Sequence, residues 1–290
     1  MSEYLIITDS SCDLTQQMAQ ELDLLVIPMP VWLEDKRYLN YLDGREIGFK
    51  EFYDELRAGK IAKTAALNVE DFREFFRPLL NEGKDILYLG FSSGLSGTYQ
   101  CSYNAAEMLR EEFPDRKIIT VDTLCASMGQ GLMVYHAVQQ KRAGKTMEEV
   151  RDFVLETIPH LSHWVMVDDL HCLKRGGRIS AATEIVGSML NIKPIIHVDN
   201  EGHLIKMDSV RGRKAGIRKL KEKLETLGIN PSEQVLFISH GDCEEDAQLF
   251  AQTLKQQPGA KEIHISFIGP VIGSHSGPGT LTIYFLGTER

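Results

Sequence analysis

No two of the five cysteines, Cys12, Cys101, Cys125, Cys172 and Cys243, form a CxxC pair, and their number is odd. That excludes a disulfide framework or a zinc knuckle as the organising device and points to reduced thiols. Positive charge is also in short supply. Lys and Arg number 32 against 41 Asp and Glu, a formal net charge of -9. Nucleic acid is thereby disfavoured as a main partner, because neutralising phosphates needs a basic surface. No apolar run approaches the roughly 20 residues of a membrane span. Met1-Ser2-Glu3-Tyr4 has no basic leader, and a cytoplasmic location is the expectation. There is no G-x-x-x-x-G-K-S/T loop and no kinase signature set, so ATP binding and a resident cofactor are not expected. The histidines lack metal-ligand spacing, and no metal is expected. Repeats and low-complexity tracts are absent.

What is present reads as α/β. At 290 residues the chain is long for one core, and two domains are the natural expectation. Tyr4-Leu5-Ile6-Ile7 is a buried strand, a helix follows from Gln16 to Glu21 with Thr15 or Asp13 as cap, and Leu24-Leu25-Val26-Ile27-Pro28 is a second strand. That spacing predicts a parallel βαβ unit. Residues 31–48 read as irregular. Phe49 to Arg57 and Val69 to Leu80 read as amphipathic helices, with Thr64 or Asn68 as cap candidates between them. Lys117-Ile118-Ile119-Thr120-Val121 is another strand, and residues 124–143 a long helix whose small residues let backbones approach closely. Pro159 suggests a boundary, giving an N-terminal domain over 1–160 with a mostly parallel sheet and a C-terminal domain over 161–290 with a mixed sheet. In the second half, Leu173-Lys174-Arg175-Gly176-Gly177-Arg178-Ile179 is a basic, glycine-rich loop before a helix over 181–190. Asn200-Glu201-Gly202 signals a hairpin between two strands. Residues 211–227 form a basic helix, two further strands enclose a helix at 244–255, and His275 lies in a glycine-rich turn before a last strand, Leu281 to Leu286.

One stretch organises the rest. The apolar run Asp85-Ile86-Leu87-Tyr88-Leu89 leads into Gly90-Phe91-Ser92-Ser93-Gly94-Leu95-Ser96-Gly97-Thr98, and a helix leads out. Backbone N–H groups at a helix start carry partial positive charge. With three serines and a threonine the turn becomes a nest of donors suited to a carboxylate or phosphate. Strand ends of a parallel sheet gather ligands, so the Asp9-Ser10-Ser11 turn is expected on the same edge. Gly90-Phe91-Ser92-Ser93-Gly94 also fits the G-x-S-x-G elbow of serine hydrolases, for which Asp242 and His264 or His275 supply the remaining groups on chain order alone. On the residues by themselves, nucleophile, ligand clamp and plain structural turn stand level. Asp9 and Asp122, each ending a strand, read as caps that fix turns.

Taken together, Thr8-Asp9-Ser10-Ser11-Cys12-Asp13-Leu14, Ser92 to Gln100, Val121-Asp122-Thr123 with Gly129-Gln130-Gly131, Leu173 to Ile179, Lys193-Pro194-Ile195 and Gly269 to Gly279 resemble the DegV family in order, over nearly the whole chain. The resemblance implies a bacterial fatty-acid-binding protein of FakB type: two α/β domains, a buried acyl chain, and a carboxylate presented to a separate ATP-dependent fatty acid kinase of phospholipid metabolism. It implies no catalytic residue of the chain's own. By the same resemblance Thr64, Ser93, Ser96 and His275 match residues at the acid group, while Arg175 and Arg178 match residues that support phosphoryl transfer or touch the kinase. One departure stands out: the family commonly has Ser-Gln-Pro after the threonine, and here Ala65-Ala66-Leu67 follows Thr64. The basic helix, with Arg211, Arg213, Lys214, Arg218, Lys219, Lys221 and Lys223, is either a solvated face or a surface for the kinase or for transient contact with an anionic membrane. A long-chain acid buries about 15 methylene and methyl groups, each contributing roughly 0.8 kcal/mol, so the tail is expected to supply affinity and the head orientation.

Overall fold

The computed structural model describes residues 3–168, 170–180, 191–257 and 259–290. The helix expected over 181–190 lies outside the described residues. The chain runs β1 (Tyr4–Asp9), a 3-10 turn at Ser10–Cys12, α1 (Gln16–Glu21), β2 (Leu25–Ile27), β3 (Met29–Leu33), β4 (Lys36–Asn40), α2 (Phe49–Arg57) and β5 (Ala62–Thr64). Then come α3 (Val69–Asn81), β6 (Asp85–Gly90), α4 (Thr98–Glu112), β7 (Ile118–Asp122), α5 (Met128–Arg142) and α6 (Met147–Thr157). The second half holds β8 (Leu161–Met166), α7 (His171–Arg175), β9 (Ile192–Val198), β10 (Leu204–Arg211) and α8 (Arg213–Leu227). It ends with β11 (Val235–His240), α9 (Glu244–Gln256), β12 (Glu262–Phe267), α10 (Pro270–Ser276) and β13 (Leu281–Leu286). No described helix is long and apolar enough to cross a membrane.

The fold is α/β, with a parallel sheet in the first half and a mixed sheet in the second. The parallel sheet has the order β2-β1-β6-β7. Its strands are mostly apolar because helices cover both faces; every residue of β6 is buried. β1 and β6 are parallel neighbours, so the turns after Asp9 and Gly90 leave the sheet on one edge, as expected. The mixed sheet has the order β10-β9-β8-β13-β11-β12, antiparallel except for β11 beside β12. The β9–β10 hairpin forms where Asn200-Glu201-Gly202 signalled it.

Residues 31–40 are not irregular, whereas 41–48 hold neither strand nor helix, as expected, and turn at Leu42-Asp43. β3 pairs with β4 and β5 to make a third, antiparallel sheet. Pro28 and Pro30 hid that strand in the sequence. Pro30 is tolerated because it pairs only with Leu39 of β4; the ladder to β5 begins at Val31. Helix boundaries otherwise fall near the expected ones. Thr15 Oγ1 accepts from the Met18 N–H at 3.1 Å, and Asn68, not Thr64, caps α3.

α5 lies between the two large sheets. Its side chains share one core with Leu87, Leu89 and Val121 of the parallel sheet and with Phe237 and Tyr284 of the mixed sheet. The first seven residues of α5 are all buried. Glycine makes that passage possible. A Cβ on Gly129 would overlap His163, and one on Gly131 would come within 2.8 Å of the Cys12 carbonyl oxygen.

Candidate functional site

The mixed sheet is buried on both faces, and the two faces do different things. Trp164, Met166, Ile195, Leu281, Ile283 and Phe285 point into a core with α8 and α9. Their alternates, His163, Val165, Ile196, Val198, Thr282 and Tyr284, line a cavity. The opposite wall comes from the strand-end turns of the parallel sheet (Ser11, Phe91, Leu95, Ser96), from Met29 and Thr64, and from Val271, Ile272 and His275 of α10. The empty space is about 860 Å³, part of it continuous with solvent.

Polar groups gather at the two ends of this largely apolar space. At one end, His275 Nε2 lies 2.8 Å from Thr64 Oγ1. His275 stands in the last turn of α10, not in an irregular turn as the sequence suggested. Pro270 starts that helix and Gly277, at φ +80°, stops it. Burial, then the charges of Arg178 and Arg175, push the imidazole down to about 4. The ring is therefore neutral near pH 7. Its Nδ1 has no hydrogen-bond partner and packs on Gly176, where a Cβ would overlap it. The tautomer that leaves no orphaned N–H has the proton on Nε2, donated to Thr64. Thr64 then keeps its own proton for the cavity.

Arg178 is half-buried and lines the cavity. Its Nε donates to the Leu95 carbonyl at 3.1 Å and its Nη1 to the Gly176 carbonyl at 2.5 Å, which ties the glycine-rich loop to the serine turn. Ser96 Oγ also faces the cavity and pairs with Thr98 Oγ1 at 2.9 Å. Ser276, beside His275, is buried, lines the cavity, and its hydroxyl has no partner. The sequence reading missed it, although it directly follows the singled-out histidine.

Thr64, Ser96, Arg178 and His275 are thus brought together. Ser93 and Arg175 are not: both are exposed and stand outside the cavity lining. Ser92 is the residue that turns inward at this point, and it donates to the Gly202 carbonyl at 2.8 Å. Arg175 reaches the Cys172 sulfur at 3.5 Å. The expected nest of backbone donors is also largely spent within the turn. Leu95 N–H and Ser96 N–H both donate to the Ser92 carbonyl, and Ser93 N–H donates to Asp122 Oδ1. Side chains, not backbone amides, face the ligand space.

At the other end, Ser127, His163, Thr282 and Tyr284 line the wall. Ser127 Oγ donates to buried Asp13 Oδ2 at 2.5 Å, and Asp13 Oδ1 accepts the Gly269 N–H at 2.9 Å. His163 Nδ1 donates to the Leu161 carbonyl, so its Nε2 is free to accept the Ala126 N–H at 3.3 Å.

The hydrolase arrangement does not assemble. Ser92 is bonded to a carbonyl, not a histidine, and neither Ser92 nor Ser93 has the positive φ of a strained elbow. Asp242 pairs with Arg57, and His264 sits 3.0 Å from Glu262. No metal-holding group of His, Cys, Asp and Glu occurs among the described residues. In the basic helix, Arg213 pairs with Asp168 and Asp246, Lys219 with Glu222, Lys221 with Glu225, and Lys223 lies 4.2 Å over the Trp164 ring.

Comparison with known proteins agrees with this architecture. The sequence pattern of the family described as "Uncharacterised protein, DegV family" matches residues 3–288. A DegV domain-containing protein of Clostridium perfringens is 42% identical over 290 residues, covering 100% of this chain and 99% of its own. Another, from Lactococcus lactis, is 36% identical over 285 residues, covering 98% of each. Among solved structures, a DegV lipid-binding protein from Thermotoga maritima superposes with a TM-score of 0.88 at 30% identity, covering 99% of each chain. A DegV-family protein from Thermus thermophilus, described by its fatty acid binding, gives 0.86 at 29%, covering 98% of this chain and 99% of that one.

Proposed function

Given that the chain belongs to the DegV family, we propose that it binds a long-chain fatty acid in the cavity and presents the carboxylate to a separate kinase. The carrying observation is the chemistry of the Thr64–His275 end. A half-buried guanidinium, a threonine with a proton to give and an unpartnered buried serine hydroxyl face one apolar space. A buried carboxylate needs such donors, since leaving it bare costs several kcal/mol. On this reading Thr64, Ser96, Ser276 and Arg178 hold the acid group, with His275 fixing Thr64. The cavity lies between two domains, residues 1–160 and 161–290.

Ser93 and Arg175 stand at the exposed rim beside that end, which suits contact with the kinase more than contact with the acid. The kinase would move the terminal phosphoryl group of ATP onto a carboxylate oxygen, giving an acyl phosphate and ADP. This chain's part is to hold the acceptor oxygen still in a cationic field. The test is to extract lipid from purified protein for mass spectrometry. The stripped protein is then reloaded and incubated with ATP with and without a fatty acid kinase. A stoichiometric long-chain acid and kinase-dependent acyl phosphate are expected. A protein that emerges empty and refuses added fatty acid would overturn the proposal.

A further inference from the structure

The wall at the Tyr284 end is not what an unadorned hydrocarbon tail requires. Ser127, Thr282 and Tyr284 are three hydroxyl residues that line it, and each of their protons has a place to go inside the protein. Tyr284 OH lies 3.3 Å from Ser239 Oγ, and Ser239 Oγ lies 3.1 Å from Ser127 Oγ. Ser127 donates to Asp13 Oδ2 at 2.5 Å. Thr282 donates to the Ser239 carbonyl at 3.1 Å and accepts the Ser239 N–H at 2.9 Å. With Asp13 ionised, Ser127 gives its proton to the carboxylate, Ser239 gives its own to Ser127 or to Thr282 Oγ1, 2.8 Å away, and Tyr284 can donate to Ser239. The oxygens facing the cavity then offer lone pairs only. Burial raises the Asp13 carboxyl well above its ordinary range. With Asp13 protonated the relay reverses, and Tyr284 offers its proton to the cavity.

Backbone strain marks one member of that pair. Asp13, at φ +52°, is in the left-handed region that aspartate tolerates, but Ser127 has φ +53° with ψ -143°, a conformation an L-residue adopts only when its surroundings hold it.

A carboxylate, which only accepts, is badly matched to lone pairs backed by a buried acid. A hydroxyl matches both directions of the relay, because it donates and accepts. The polar wall is also at a definite depth. Thr282 and Tyr284 share one face of β13, Thr280 just before that strand also lines the cavity, and Thr280 Oγ1 donates to the Ser276 carbonyl at 2.9 Å. Four residues of extended chain put Tyr284 roughly 13 Å from the headgroup end.

The geometry points to a specificity site for hydroxylated acyl chains: Tyr284, Thr282 and Ser127 take a hydroxyl on the middle of a fatty acid whose carboxylate sits at Thr64 and Arg178. This rests on the fatty-acid reading above, and the experiment separates the two. Stripped full-length protein is titrated with octadecanoic acid and with a positional series of mid-chain hydroxyoctadecanoic acids. One narrow range of hydroxyl positions is expected to bind at least as tightly as the parent acid. Positions outside it are expected to bind about tenfold more weakly, the value of one hydrogen bond lost in an apolar site. In Tyr284→Phe and Thr282→Val that positional preference should flatten. Failure of octadecanoic acid itself to bind would overturn both readings. Binding of the parent, with every hydroxylated isomer weakened equally or with the same ranking in both variants, would overturn this one alone. Circular dichroism and melting of each variant show whether a flattened ranking comes from lost folding, and two variants guard against one failing to fold.

Discussion

His275 refuses a proton that an exposed histidine would take. Its folded-state value is pushed down to about 4, against an ordinary value of about 6.5, by burial and by Arg178 and Arg175. The unfolded chain therefore binds an extra proton between those values. The contribution of this residue to stability is full above about pH 6.5 and is lost as the pH falls toward 4. At about 1.4 kcal/mol per pH unit, the loss is at most a few kcal/mol. Unfolding free energies measured across that window should fall less steeply in His275→Gln than in the parent; equal slopes would put the acid sensitivity elsewhere. On the proposed reading Thr64 gives the acid group a charge-assisted hydrogen bond. Thr64→Val, which keeps the shape, is expected to weaken fatty acid binding about tenfold or more, and Ser276→Ala somewhat less. Isothermal titration of the stripped variants checks both.

Two glycines hold elements in place by having no side chain. Gly176 lets the loop after α7 lie flat on the His275 ring. Gly176→Ala is expected to push the ring away from Thr64 and to weaken ligand binding more than it lowers stability, since the loop is partly exposed and can shift. Gly129 lets α5 pass against His163 and Tyr284 at the middle of the molecule. Gly129→Ala overpacks a site that cannot move, so a loss of stability of about 1–3 kcal/mol or more is expected in urea unfolding. A stability effect at Gly176 larger than at Gly129 would reverse this assignment. α8, for its part, carries most of its charge in pairs, so a measured role in docking would have to come from its Lys214 and Arg218 or from Arg211 at the end of β10.

The cavity is walled by strands of the mixed and three-stranded sheets and by the turns that leave the parallel sheet. A ligand there touches elements far apart in sequence and binds only when they are assembled. Saturating fatty acid is accordingly expected to stabilise the fold by about 2.7 kcal/mol at a hundredfold excess over Kd. Thermal denaturation should show stripped protein melting several degrees below loaded protein. Identical melting curves would mean that the acid does not bind the folded protein in preference to the unfolded chain.

Much of this was legible in the sequence because it is local. Buried parallel strands write themselves as unbroken apolar runs, as in Asp85-Ile86-Leu87-Tyr88-Leu89, and caps such as Thr15 and Asn68 act within three residues. The edge shared by the Asp9 and Gly90 turns followed from parallel pairing alone. The β3–β4–β5 sheet was not legible, because its prolines read as punctuation until the pairing showed which ladder positions were vacant. Nor was the choice among the serines. In Ser92-Ser93-Gly94-Leu95-Ser96 the residue types are alike, and only the packing against Gly202 and Arg178 turns Ser92 into the wall, Ser96 toward the cavity and Ser93 to solvent. The sequence determined strands, turns and the kinds of group available. Which of those groups meet across the cavity was decided by contacts between residues more than a hundred positions apart, and periodicity along the chain carries no record of them.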